Sequence, residues 1–509
     1  MLRCIGGVKQ IRFGRDRGFR FTPSLPARFG SGTRVWAAMW TLLLVTGLFA
    51  AASGAQGIAS RRQSEMQSPT HRAPKRPPSI VLILTDDQRW DTISVMPTVV
   101  RRLREIGVKF SNGFVVNPLC CPSRASLLTG QYSHSTGVYR NDPPHGGFPA
   151  FRDRSTIATR LHGAGYRTGL FGKYLNNYPG DYIPPGWDRW AAFSVPNRSN
   201  GAYFGYSLNV DGAQRSFGTN ADDYSTDVLA RMAESFIENT RRPLFLYFAP
   251  YAPHPTGPLT GATPAPRHTG AFPDLEPYRP PSYNEADVSD KPAWVQALPR
   301  LTPSSGDDID RLRQSQLRAL LAVDDAVDRI LDALAATGRL RNSMIVFLSD
   351  NGYMWGEHRL KGKGVPYEES IRVPFIVRYD PLVTRARRDG HLAVNIDLAP
   401  TFARLAGISA PWAEGRSLLP LLGSRDVRWR KRFLVEQAAG PILTYCTVRS
   451  RTFSYIAYRS GEEELYALKK DPYQLDNVAR DRAYEPMLRR LRGKLRKLCD
   501  PPPPGFTPP

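Results

Sequence analysis

Three uninterrupted apolar runs constrain this chain most: Ser79-Ile80-Val81-Leu82-Ile83-Leu84-Thr85, Leu244-Phe245-Leu246-Tyr247-Phe248 and Met344-Ile345-Val346-Phe347-Leu348. A strand with one wet face alternates apolar and polar residues, whereas a run without alternation is buried on both faces, as in a parallel sheet covered by helices on either side. Between the runs lie helical stretches at 156–164, 223–239 and 307–334, the last with Leu320, Val323, Val327, Ile330 and Leu331 at helical spacing. Strands alternating with helices predict an α/β fold: a doubly wound, mixed but mostly parallel sheet flanked by helices. Each run passes directly into polar residues, so those residues share the carboxyl edge of the sheet, where such folds place their sites.

Length and texture divide the rest. The 509 residues are enough for one large domain and a smaller one. Residues 79–425 are assigned to the α/β domain that carries this sheet edge. Beyond it, short strand-like runs at 433–435, 444–449, 453–458 and 465–466 precede a helix at 484–498, so 426–500 reads as a small antiparallel sheet with one helix. The proline-rich 501–509 reads as an extended tail. Residues 256–303, rich in Pro, Gly and Thr, form either a wall of the substrate pocket or a disordered surface insertion. Residues 35–52 carry no charge, follow a basic segment and precede Ser53-Gly54-Ala55-Gln56. Basic, apolar, then small is the order of an export signal, here with cleavage near Ala55 and a flexible linker at 56–78. Eighteen apolar residues also suffice to span a bilayer, so a retained anchor is the alternative, and only then is a membrane a partner. The expected location is secreted, periplasmic or cell-surface.

The formal charge of +23 raises the question of nucleic acid. Residues 1–80 hold +11 of it, largely outside the folded body, and the remaining +12 is spread over 429 residues. That distribution suits an anionic substrate, and no nucleic-acid partner is assigned. Five cysteines exclude a disulfide scaffold; Cys446 and Cys499 are left either as a disulfide or as two buried thiols.

Chemistry concentrates in Cys120-Cys121-Pro122-Ser123-Arg124-Ala125-Ser126-Leu127-Leu128-Thr129-Gly130. Phe114, Val115 and Val116 are strand-like, Asn117-Pro118 breaks the pattern, and Pro122 suits a first helical turn that ends at Gly130. Cys120 then sits at the positive end of a helix dipole with Arg124 one turn on, a setting for an anionic nucleophile or substrate. A vicinal Cys120–Cys121 disulfide and two small buried thiols are the competing readings. Asp86-Asp87 and Asp350-Asn351 each follow a buried strand. Two oxygen-rich pairs at strand ends would hold a hard divalent cation, Ca²⁺ or Mg²⁺, although either pair alone could be a turn or helix cap.

The Cys-x-Pro-Ser-Arg run followed by Leu-Thr-Gly resembles the signature of the type I sulfatases of the alkaline-phosphatase-like superfamily. That resemblance implies that Cys120 is converted to formylglycine by a formylglycine-generating enzyme. It also implies that Asp86, Asp87, Asp350 and Asn351, completed by residue 120, bind one divalent cation, with Ca²⁺ preferred. Gly172-Lys173-Tyr174 and Gly362-Lys363-Gly364-Val365-Pro366-Tyr367-Glu368 resemble two further family blocks, which makes Lys173 and Lys363 sulfate contacts, with Lys361 a nearby decoy. His254, in Pro253-His254-Pro255, matches the histidine near the leaving oxygen. Glu464-Leu465-Tyr466, Asp471-Pro472 and Asn477 resemble the closing signature, so the likeness spans about 79–480.

One departure stands out. Where many sulfatases place Trp-His after the lysine of the Gly-Lys block, this chain has Tyr174-Leu175-Asn176-Asn177. His134 and His358 are the candidates for that histidine's role. The wording at 173–177, 119–130 and 349–353 is similar to the lysosomal glucosamine-6-sulfatase branch. The resemblance implies hydrolysis of a sulfate monoester, on a sulfated sugar such as 6-sulfated N-acetylglucosamine in a glycan or on an aryl sulfate. Two alternatives remain: a phosphonate monoester or phosphodiester hydrolase on the same scaffold, and a non-catalytic exported protein that binds anionic glycans.

Overall fold

The computed structural model describes residues 77–509 except 195–201, 258–259, 425 and 441–442. The expected export segment and nearly all of the linker lie outside the described residues. In chain order the strands are β1 (Ser79–Thr85), β2 (Val108–Phe114), β3 (Arg167–Gly172), β4 (Arg189–Phe193), β5 (Ser207–Val210), β6 (Ala213–Ser216), β7 (Leu244–Ala249) and β8 (Ser343–Ser349). After a short antiparallel ladder of β9 (Met354–Trp355) with β10 (Lys361–Gly362) come β11 (Phe375–Arg378) and β12 (Arg387–Val394). All but β9 and β10 join one ten-stranded sheet in the order β12-β2-β11-β8-β1-β7-β3-β4-β5-β6. Pairing is parallel for β1 with β7 and β8, β3 with β7 and β4, and β12 with β2. It is antiparallel where β11 lies between β8 and β2, and from β4 through β5 to β6. The expected mixed, mostly parallel sheet is therefore observed.

The three apolar runs occupy its centre, and the period-2 geometry of a strand explains their composition. Val81, Leu246 and Ile345 stand in register and face the helices Ser225–Glu238 and Pro303–Ala336, packing with Leu229, Phe236, Val323 and Val327. Leu82, Tyr247 and Val346 face the opposite layer, with Leu127 and Leu128 of the helix Cys120–Thr129, Leu161 and Phe402. Burial on both faces, at about 1.5–3 kcal/mol per large apolar side chain, is why neither set alternates. The long helix begins four residues earlier than its apolar spacing predicts. Thr302 caps it, its hydroxyl accepting from the Ser305 N–H at 3.2 Å, and Pro303 occupies the first turn, where no N–H is needed.

The second sheet is antiparallel: β13 (Arg432–Ala439), β14 (Leu443–Ser450), β15 (Ser454–Tyr458) and β16 (Glu463–Tyr466). One face takes Leu488, Leu491 and Leu495 of the helix Glu485–Leu498; the other packs Phe433, Val435 and Ile456 onto Phe114, Ile371 and Val394. Cys446 on β14 and Cys499 after the helix form a disulfide. The 501–509 segment is not a loose tail: Phe506 is buried with Leu488 and Leu495, and the Arg496 guanidinium donates to the Pro509 carbonyl at 2.6 Å. A single aromatic anchor overrides the extended preference of the prolines. The described part of the 256–303 segment is likewise packed rather than disordered. It buries Ser282, Glu285, Lys291 and Val295, and the His358 N–H donates to the Ser282 carbonyl at 2.8 Å. Among the described residues no helix is long and apolar enough to cross a membrane.

Candidate active site

Strand ends position the site. β1 delivers Asp86 and Asp87, β8 delivers Asp350 and Asn351, β3 delivers Lys173, and β7 leads to His254. Asp87 adopts a left-handed backbone (φ 68°), and its N–H donates to Asp350 Oδ1 at 3.2 Å, tying the two acidic turns together. Gly172 is required by close approach: a Cβ there would lie 1.9 Å from the Ala249 carbonyl oxygen. That contact lets the Lys173 N–H reach the same oxygen at 2.8 Å.

The helix Cys120–Thr129 ends at Gly130 in the left-handed region (φ 72°), as its sequence predicts, and Cys120 is its first residue. Cys120 and Cys121 are both free and buried, which removes the vicinal disulfide. Burial pushes the Cys120 thiol up to about 12, despite Lys173 and Lys363 nearby. A thiol so held is protonated at neutral pH and is a poor nucleophile as it stands. Its Sγ donates to Asp86 Oδ1 at 3.5 Å and accepts from Lys363 Nζ at 2.8 Å.

Three cations surround that sulfur. Arg124 is fully buried, its Nε donating to Asp350 Oδ2 at 2.8 Å and its Nη1 to the Lys173 carbonyl at 2.7 Å, while its buried Nη2 has no hydrogen-bond partner. Lys173 pairs with Asp86 and Lys363 with Asp87. Burial opposes charge on Asp86, but Lys173, His254, Arg124 and Lys363 together outweigh it and hold that carboxyl well below its usual range. Asp350 goes the other way, raised to about 6 by burial and by the neighbouring Asp86. Two carboxylates with opposed shifts in one dry site are a setting that a divalent cation would relieve.

The donor set fits such an ion. Asp87 Oδ2 and Asn351 Oδ1 are buried oxygens without a hydrogen-bond partner, although Asn351 Nδ2 donates to Asp87 Oδ1 at 2.6 Å. Ligand atoms of Asp86, Asp87, Cys120 and His254 lie within 4.8 Å of one another. Of these atoms and the unpartnered Asn351 Oδ1, the carboxylate and amide oxygens are the hard donors that Ca²⁺ or Mg²⁺ prefers, whereas Cys120 Sγ is a soft donor and His254 offers a ring nitrogen.

His254 Nε2 lies 3.6 Å from Asp87 Oδ2, and its Nδ1 sits 2.7 Å from the Pro255 carbonyl, so Nδ1 carries the proton and Nε2 faces the acids. Burial and then Lys363 lower its pKa to about 4, leaving the ring neutral at pH 7. Neither alternative histidine joins the site: His134 lies between Glu414 (3.3 Å) and Glu436 (2.9 Å), and the buried His358 pairs with Glu285 at 2.6 Å. Lys361 is exposed, while Lys363 is directed inward. The residues that replace Trp-His have structural partners: Tyr174 packs on Trp190 and Tyr178, and Asn177 Nδ2 donates to the Asn141 carbonyl at 2.8 Å.

Sequence reasoning missed Tyr251. Its ring centroid is 4.7 Å from that of His254 and 5.5 Å from Lys173 Nζ, and Tyr203 Oη donates to the His254 carbonyl at 2.8 Å. His254 is named by the family resemblance, which does not reach Tyr251; the signal that could have found Tyr251 is its place at the carboxyl edge of the sheet, two residues past β7.

Known proteins resemble this chain in sequence and in fold. The profile of the family described as Sulfatase matches residues 78–408, and that described as N-sulphoglucosamine sulphohydrolase, C-terminal, matches 356–500. An extracellular sulfatase SULF-1 homolog of Drosophila melanogaster is 37% identical over 78% of this chain, and N-acetylglucosamine-6-sulfatase of Homo sapiens is 32% identical over 80% of this chain and 81% of its own length. The chain spans only 36% of the Drosophila protein and 53% of a Caenorhabditis elegans homolog. Among solved structures, a protein in complex with its substrate D-glucosamine-2-N,6-O-disulfate superposes with a TM-score of 0.71 at 25% identity, covering 84% of this chain and 98% of its own. A phosphonate monoester hydrolase of Agrobacterium radiobacter reaches 0.66 at 22% identity over 83% and 96%, a likeness of fold alone. With the family profile matched across most of the α/β sheet and a relative aligned along four-fifths of both chains, the chain belongs to the sulfatase family.

Proposed function

We propose that this protein hydrolyses sulfate monoesters on a sulfated sugar, in particular 6-sulfated N-acetylglucosamine within a glycan, using Cys120 after its conversion to formylglycine. The observation that carries this is the convergence of Cys120, three cations and two unpartnered buried oxygens at one sheet edge. A thiol pushed to about 12 by burial is ill suited to act unmodified, which favours conversion by a formylglycine-generating enzyme before the chain folds.

Asp86, Asp87, Asp350 and Asn351, with residue 120, would hold one divalent cation, Ca²⁺ in preference to Mg²⁺. When bound, that ion supplies a Lewis acid that lowers the pKa of an oxygen nucleophile. The aldehyde supplies, once hydrated, two hydroxyl groups on one carbon, so the residue can be sulfated and still release sulfate.

The chain's own side chains do the rest. Lys173, paired with Asp86, and Lys363, paired with Asp87, neutralise sulfate oxygens as charge shifts. Arg124 holds Asp350 and the Lys173 carbonyl, which fixes where both point. His254, neutral at rest, presents Nε2. An arriving sulfate offsets Lys363 and raises the proton affinity of that nitrogen, so His254 takes up a proton and gives it to the departing alcohol. Tyr251, whose ring lies tilted at 43° against the imidazole, keeps the ring in that orientation. Residues 79–425 would form the catalytic domain and 426–500 a smaller domain docked on it. The Cys446–Cys499 disulfide favours an exported protein.

Intact and tryptic mass spectrometry of the protein from its native host tests the central step, with a loss of about 18 Da at Cys120 expected. Rates on N-acetylglucosamine 6-sulfate and on matched aryl sulfate and aryl phosphodiester esters then separate the sulfatase from the phosphodiesterase reading. An unmodified cysteine in that host would overturn the formylglycine mechanism and favour the glycan-binding alternative.

A further inference from the structure

Away from the Cys120 site, two basic runs distant in sequence meet. Arg385-Ala386-Arg387-Arg388 enters β12, the edge strand of the large sheet, and Arg428-Trp429-Arg430-Lys431-Arg432 enters β13. They are joined where Trp429 Nε1 donates to the Leu392 carbonyl of β12 at 2.8 Å. Arg451, just past β14, comes over the same edge, its guanidinium 3.6 Å from where a Cβ on Gly390 would stand. Between them lies a cavity of about 330 Å³ lined by His391, Trp429, Arg430, Lys431, Arg451 and Thr452, among others.

The charges there are unequally committed. Arg430 is paired with buried Asp397 at 2.9 Å, and His391 Nδ1 sits 2.7 Å from buried Asp389. Lys431 and Arg451 are exposed, and neither meets a carboxylate among the described residues. Two uncompensated cations at the rim of a concavity focus positive potential into it, and the half-buried indole of Trp429 offers an apolar wall. The volume lies at the low end for a ligand pocket, enough for one sugar unit. His391 precedes Asn395 by four residues, and the Asn395 amide donates to the Ser123 carbonyl in the Cys120 helix at 3.1 Å. At about 3.3 Å per strand residue, His391 stands on the order of 13 Å along the chain from Asn395, which touches the helix that begins at Cys120.

We propose that this pocket is a second, non-catalytic site that holds a sulfate or carboxylate of a neighbouring sugar on a sulfated glycan chain. Its choice of a glycan rests on the reading of the Cys120 site given above; its anion-binding character rests on the pocket alone. Two-point attachment raises the effective concentration of the polymer at Cys120 and does nothing for a small ester.

The test compares wild type with Lys431→Gln/Arg451→Gln and with Lys431→Glu/Arg451→Glu, both pairs being exposed and outside the catalytic machinery. Binding of a heparin-derived octasaccharide is measured across salt concentrations, and turnover of a small aryl sulfate is measured in parallel. The neutral pair is expected to weaken octasaccharide binding about tenfold and to flatten the log affinity against log salt slope by about 1–2, with the charge-reversed pair weaker still. Aryl sulfate kcat and KM stay unchanged. Octasaccharide affinity that is the same in all three proteins would overturn the proposal. So would wild-type binding of duplex DNA as tight as that of the octasaccharide, which would reassign the pocket to nucleic acid. If wild type cleaves no sulfate ester but the variants still lose the octasaccharide, the pocket stands and the catalytic reading fails.

Discussion

Lys363 and Arg124 both place positive charge beside Cys120, yet the structure gives them different work, and replacing each by Met separates the two. Arg124 is fully buried and holds three groups: Asp350 at 2.8 Å, the Lys173 carbonyl at 2.7 Å and, more loosely, Asp86 at 3.6 Å. Removing it strands a carboxylate and a carbonyl in a dry site. Breaking a buried ion pair costs about 3–5 kcal/mol and an orphaned carbonyl about 1–3 more. A bound cation would recover part of that, so a net loss of about 3–5 kcal/mol is expected. Lys363 retains 14% side-chain exposure and contacts only Asp87 and the Cys120 sulfur within hydrogen-bond reach. With the cation in place Asp87 stays compensated, so Lys363→Met should fold with stability within about 1 kcal/mol of wild type. The loss falls on the transition state: one charged donor to a developing oxyanion is worth about 2.7–4 kcal/mol, or 10²–10³ in kcat. The assay is urea unfolding together with kcat and KM on an aryl sulfate, with residue 120 checked by mass spectrometry in every protein. Wild-type kcat in Lys363→Met, or equal destabilisation in the two variants, would refute the division of roles.

Three further outcomes follow from the geometry. The Cys446–Cys499 bridge closes a separation of 53 residues, for which chain entropy gives about 4 kcal/mol, so Cys446→Ser/Cys499→Ser should lower the urea midpoint of the C-terminal sheet by a corresponding amount, read by hydrogen exchange on β14 and the helix Glu485–Leu498. His134, although burial works against its charge, is raised from 6.5 to about 10 by Glu414 and Glu436. A raised folded pKa means stability complete below 6.5 and lost as pH climbs toward 10; His134→Gln should flatten that slope in pH-dependent unfolding. Chelation should abolish turnover and lower the thermal midpoint, because Asp86, Asp87 and Asp350 lose their shared counter-charge. Added Ca²⁺ should restore both, and a midpoint indifferent to chelator and to Ca²⁺ would count against the proposed ion.

The apolar runs 79–85, 244–248 and 344–348 determined by themselves that the chain builds a sheet buried on both faces, because strand periodicity is local and admits no other solvent arrangement. The turns that follow two of them named Asp86, Asp87, Asp350 and Asn351, the family resemblance added His254, and the Pro-to-Gly span after Cys120 set a helix and its end. β12 escaped that reading because its first half, Arg387-Arg388-Asp389-Gly390-His391, is polar, as an edge strand with few neighbours can be. The burial of Phe506 also escaped, since nothing local distinguishes an anchored proline-rich tail from a free one. Only the tertiary structure decided that Lys173 and Lys363 meet Asp86 and Asp87, that His134 and His358 are committed to carboxylates elsewhere, and that Lys431 and Arg451 share one pocket rim. Such pairings join residues tens to hundreds of positions apart, and local preferences carry no information about which distant side chain will arrive; the packing of the sheet and its helices fixes that.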